Sequence, residues 1–93
     1  MGNAKQPLIK TGDIPVVAPA QGGAAKQMIA YQIAREMAHQ QISRVEMAAR
    51  MGTSRAQLNR LLDPDNPSVT LQSVEKAAAV LGLTLIIKIE RTN

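Results

Sequence analysis

The chain has no cysteine, no phenylalanine and no tryptophan, and its single aromatic residue is Tyr31. Without cysteine there is no disulfide and no thiolate ligand, which fits a reducing, cytoplasmic compartment. His39 is the only histidine, so no ligand set for a metal is in view. Without Phe or Trp, a chain that is 45% hydrophobic must build its core from Leu, Ile, Val, Met and Ala. That supply suits short helices better than a β-sandwich. No apolar run approaches the ~20 residues that span a bilayer, and the start shows no charged segment leading into an apolar one, so no secretory signal is expected. The sequence offers no nucleophile–base pair, metal set or phosphate-cradling glycine loop, so neither an enzyme nor a cofactor is expected.

What is present is basic and small. Ninety-three residues allow one domain with a modest core, for which oligomerisation is the natural supplement. A net charge of +4 and a pI near 10.0 permit nucleic acid as a partner without requiring it. Residues 1–23 carry Pro7, Pro15, Pro19, Gly2, Gly12, Gly22 and Gly23 without helical period and read as a flexible N-terminal arm. Within it Ile14, Val16 and Val17 could form a brief extended piece, limited by Pro15. A contact-making arm and a frayed tail both remain open.

Residues 24–82 read as a helical domain. Ile29, Ile33, Glu36, Met37 and Gln40 share one side of a helix over about 24–40. Ser43 and Glu46 have the spacing of a capping box, followed by inward-facing Met47, Ala48 and Met51. Gly52 stands where the chain needs a left-handed residue. Ser54 and Gln57 repeat the box, with Leu58, Leu61 and Leu62 as the buried side of the next helix. The stretch Asp63-Pro64-Asp65-Asn66-Pro67 is turn chemistry. Thr70 caps a fourth helix that faces Leu71, Val74, Ala77, Ala78 and Leu81 inward and ends at Gly82. Met28, Met37, Met47 and Met51 read as core filler. Tyr31 fits either a buried amphipathic side chain or a partner anchor.

The stretch 43–62, SRVEMAARMGTSRAQLNRLL, carries the functional signal. Two helices crossing steeply need a small residue at the contact, and Ala48 supplies it. Four residues later the chain must reverse, at Gly52, and Leu58 and Leu61 then fix the second helix on the first. On that helix Ala56 and Arg60 point away from the leucines, flanked by Gln57 and Asn59, with Arg55 near the N-terminal edge. Arg pairs with guanine, Gln and Asn with adenine, and an Ala methyl packs on thymine. The helix N-terminus also offers N–H groups to phosphate.

These residues, followed by PSVTLQSVEKAAAVLG, resemble the XRE/Cro/cI-type helix-turn-helix family over roughly residues 26–82. The resemblance implies a mainly α, four- to five-helix lambda-repressor-like domain, usually dimeric, that binds an operator. Carried across, Ser43 and Arg44 open the helix that grips the phosphate backbone. Ser54, Arg55, Ala56, Gln57 and Arg60 fall where the recognition helix meets DNA, with Asn59 a further candidate. Thr53 departs from the family's usual apolar residue. RMGTSRAQLNRLLDPDNPSVTL is similar to a narrower group: HigA-like antitoxins acting beside RelE/ParE- or HigB-like toxins. The implied protein is an autoregulating bacterial repressor, cytoplasmic and associated with the nucleoid. The alternative is a protein-interaction module that neutralises a toxin or other partner without specific DNA binding.

Residues 83–93 alternate, with Leu83, Leu85, Ile87 and Ile89 on one face of a strand over 83–90. A lone strand cannot satisfy its own backbone. The economical solution is pairing with the same strand of a second subunit, making these four residues dimerisation contacts and setting two recognition helices about 34 Å apart for a palindromic operator. Pairing with the 14–17 segment or with a toxin's sheet edge is the competing solution.

Overall fold

The computed structural model describes residues 13–16 and 23–91. The elements are β1 (Asp13–Val16), α1 (Ala24–His39), α2 (Arg44–Met51), α3 (Arg55–Leu62), α4 (Leu71–Leu81) and β2 (Thr84–Ile87). Residues 1–12 and 17–22 of the N-terminal arm, Val17 included, lie outside the described residues. Each helix contributes one large, fully buried side chain to a shared centre: Ile33, Met47, Leu58 and Val74. Around them pack Ile29, Met37, Ala48, Met51, Leu61, Leu62, Ala77, Ala78 and Leu81. Met37, Met47 and Met51 therefore fill core, while Met28 is half-buried. Leu71, assigned inward by its spacing, is 59% exposed. It is the first residue of α4, where no neighbouring helix covers the apolar stripe. Tyr31 is 64% exposed and takes no part in the core.

The helix ends follow the local chemistry of the sequence. Ser43 Oγ accepts from the Glu46 N–H, Ser54 Oγ from the Gln57 N–H and Thr70 Oγ1 from the Ser73 N–H, each at 3.1 Å. The reciprocal halves of the two capping boxes are replaced. Glu46 forms an ion pair with Arg50 one turn on, and the Gln57 side chain accepts from the Thr53 hydroxyl. In both cases a partner four residues away on the helical surface competes for the group. At the end of α2, Gly52 has φ +69°, the Gly52 N–H bonds Ala49 O at 3.1 Å and the Thr53 N–H bonds Ala48 O at 3.0 Å. This Schellman closure turns the chain into α3. The same closure ends α1, but there Gln41 holds the positive φ, at +59°.

Lys26, in the first turn of α1, is the one buried charged residue among those described, 3% exposed. Its ammonium donates to Arg60 O at 3.0 Å, Asp63 O at 2.7 Å and Asn66 O at 2.7 Å. Three donors meet three acceptors, so the protonated form fits. The charge also sits at the C-terminal, negative end of the α3 dipole. Burial lowers the Lys26 pKa from its ordinary 10.5, and the nearby Asp63 charge pulls it partly back. At the far end of α1, Gln40 Nε2 donates to Leu81 O at 2.8 Å and so finishes α4.

β2 is shorter than the expected strand, and within one chain its partner is the short N-terminal segment, the competing solution above. It pairs in parallel with β1, in the register Asp13↔Thr84, Ile14↔Leu85, Pro15↔Ile86 and Val16↔Ile87. The short 13–16 segment suffices as a partner because the whole helical domain serves as the crossover that a parallel pair needs. Leu83 and Leu85 pack on the core, whereas Ile87 is half-exposed and Ile89 is 94% exposed. The alternating face is thus only partly covered within one chain.

Two substitutions test this account by urea denaturation. Lys26→Met leaves Asn66 O without its donor and removes the charge from the α3 terminus, and should cost about 2 kcal/mol. Gln41→Gly relieves a left-handed side-chain penalty at an exposed site and should add about 0.5–1 kcal/mol; a loss of stability there would contradict the assigned conformation.

Candidate nucleic-acid interface

α2 and α3 place the sequence-predicted residues on one exposed surface. Ser43 and Arg44 stand at the start of α2, and Ser54, Arg55, Ala56, Gln57, Asn59 and Arg60 cover the outer side of α3; all are exposed. Ala48 is buried where α2 meets its neighbours, as a close helix crossing requires. Leu58, Leu61 and Leu62 are buried beneath α3. The inner and outer faces of α3 are therefore fixed by the leucine spacing, and the polar side chains have nowhere to go but outward.

The charges on this surface differ in availability. Arg50 is matched by Glu46. Arg44 Nη1 donates to Asn59 Oδ1 at 2.6 Å, a bond that ties the start of α2 to the middle of α3. Among the described residues, the guanidinium groups of Arg55 and Arg60 have no partner. No acid occupies the first turn of α3. Two free cations on an acid-free helix face, with a third at the α2 terminus, form a surface that attracts a polyanion.

Ser68, Val69, Thr70 and Ser73 were not singled out from the sequence as site residues, yet they line a shallow groove with Gln57 and Arg60. The loop that brings them there is wound by its own side chains. Asp63 Oδ1 accepts from the Asp65 N–H at 2.9 Å, and Asn66 Oδ1 accepts from the Ser68 N–H at 3.0 Å. Asp63 and Asp65 therefore serve as turn formers. Lys26 was likewise missed: a lysine among alanines gives no hint from spacing alone that it reaches carbonyls 34 to 40 residues away. Among the described residues no cluster of His, Cys, Asp and Glu could hold a metal ion, and no helix is long and apolar enough to cross a membrane.

The model of the Cro/C1-type helix-turn-helix DNA-binding domain matches residues 32–86, more than half of the chain. The match runs from the middle of α1 through α2, α3 and α4 into β2. No curated protein and no solved structure gives a match.

The unequal pairing of the arginines separates their effects. Arg55→Ala and Arg60→Ala should each cost about 1–3 kcal/mol in DNA affinity, measured by fluorescence anisotropy. Arg50→Ala, which removes a cation already matched by Glu46, should change affinity by less than about 0.5 kcal/mol. Equal losses at all three positions would contradict the surface described.

Proposed function

Because the chain belongs to the Cro/C1-type helix-turn-helix DNA-binding family and is thus a DNA-binding transcriptional regulator, we propose that it acts as a dimeric, operator-specific repressor. The observation that carries this reading is the outer face of α3, where Arg55 and Arg60 are exposed and unpaired beside Ala56, Gln57 and Asn59. Ser43 and Arg44, at the start of α2, are the phosphate-gripping positions, and Ser54 opens the recognition helix. Backbone contacts of this kind set register, and base contacts set sequence.

Dimerisation is supported by apolar surface left uncovered in a single chain. Leu83, Leu85 and Ile87 line a groove with Ala78 and Ala79 of α4, and Ile89 continues the apolar strip beyond it. A second copy seated there would place two α3 helices for successive major grooves of a palindromic site. The antitoxin role is supported by the resemblance of residues 50–71 to HigA-like regulators. In that role the protein neutralises a RelE/ParE- or HigB-like toxin and represses its own operon. The same apolar strip favours a second reading, in which a protein partner is the main target and DNA binding is weak.

Anisotropy titration against the DNA upstream of the gene, at two salt concentrations and with scrambled competitor, tests the leading reading. Specific binding that weakens steeply with salt is expected. Ile87→Glu should shift the protein to monomer in sedimentation and weaken operator binding more than binding to a half-site. Tight capture of a toxin with no preference for the upstream DNA would favour the second reading.

A further inference from the structure

The side-chain amides on α3 are not free to adopt any pose. Asn59 Oδ1 accepts from Arg44 Nη1 at 2.6 Å. A guanidinium can only donate, so the amide turns its oxygen to Arg44 and its nitrogen away from it. Gln57 Oε1 accepts from the Thr53 hydroxyl, which turns that amide the same way. Thr53 itself is half-buried at the turn, and Gln57, Asn59 and Arg44 are exposed.

Bidentate recognition of adenine needs an amide oxygen and nitrogen side by side, one accepting from N6 and the other donating to N7. Each amide oxygen keeps a second lone pair, but it is turned towards its protein donor, so neither amide holds its oxygen and nitrogen side by side towards the base. With both oxygens held by the protein, the groups left facing outward are N–H donors, as are those of Arg55 and Arg60. A surface that leads with donors favours base edges that present acceptors. In the major groove guanine presents two acceptors, N7 and O6, and thymine a single one, O4, beside its methyl group, whereas adenine and cytosine each present an amino donor that such a surface repels.

Building on the DNA-reading role above, we infer that Arg44 and Thr53 are positioning residues that turn the Asn59 and Gln57 amides into donors, so that α3 selects guanine rather than adenine at the bases these amides face. Arg44 thereby does more than grip phosphate. Thr53, where the family usually carries an apolar residue, has a role in base preference through its hydroxyl.

The test is selection of binding sites from a pool of random duplexes with the full chain, followed by anisotropy titrations on the selected site. Each selected guanine is replaced in turn by adenine or by 7-deazaguanine, which lacks the N7 acceptor. Wild-type protein should enrich guanine in each half-site and lose about tenfold in affinity on replacement. Thr53→Val keeps the side-chain shape and frees Gln57 Oε1; it should move one position from guanine towards adenine while leaving affinity for its own best site within about threefold. Asn59→Ala should flatten the preference at a second position. Enrichment of adenine by the wild type, lost in Gln57→Ala or Asn59→Ala, would overturn the inference and leave the DNA-reading role intact. A guanine preference unmoved by Thr53→Val and Asn59→Ala would assign it to Arg55 and Arg60 and would also overturn it. Failure to enrich any duplex would overturn the operator-reading role itself.

Discussion

Three backbone carbonyls at and beyond the end of α3 converge on one buried ammonium, and the position of the DNA-facing helix depends on that convergence. Lys26 bonds the carbonyls of Arg60, Asp63 and Asn66 from the first turn of α1. The last carbonyls of a helix have no partner within it, and burying them unpaired is costly. Here a cation supplies both the donors and the charge that the helix terminus favours. Ser54 caps the other end of α3, and Leu58 anchors its middle in the core. A short helix held at both ends and in the middle presents its outer side chains in one orientation, which is what reading a base edge demands.

The electrostatics of the surface follow from which arginines the protein has already used. Arg50 is spent on Glu46, and Arg44 is directed towards Asn59, while Arg55 and Arg60 face outward without partners. Two unpaired cations thereby face outward on α3, and Arg44 keeps its charge at the start of α2. Because these groups are exposed, their attraction for phosphate is screened over about 8 Å at physiological salt. Salt dependence is therefore expected of this interface, and the proposed discrimination between bases rests instead on the hydrogen-bonding pattern of the amides and guanidinium groups.

Much of this was legible in the sequence because local rules decide it. The leucine spacing set the buried face of α3, Gly52 marked the turn, and Ser43, Ser54 and Thr70 marked three helix starts. All of these depend on neighbours within a few residues. What escaped depends on distant contacts. The bonds of Lys26 cross more than thirty residues, and the Arg44–Asn59 bond joins two helices. The sequence placed the N-terminal partner of β2 second to a dimeric pairing. A four-residue strand interrupted by Pro15 gives little signal by pattern, and parallel pairing across the whole helical domain leaves no short-range mark. Leu71 was placed inside by periodicity alone, which cannot show that no element covers the start of α4.

Methylation interference on the bound upstream duplex tests the central claim most directly. Methyl groups at guanine N7 lie in the major groove, and those at adenine N3 lie in the minor groove. If the donor-bearing face of α3 reads the major groove, guanine N7 methylation should block binding in two clusters about one helical turn apart, with no effect from adenine N3 between them. Interference confined to adenine N3, or none at guanines within a protected site, would contradict the placement of α3 in the major groove and the role assigned to Arg55, Arg60 and the two amides.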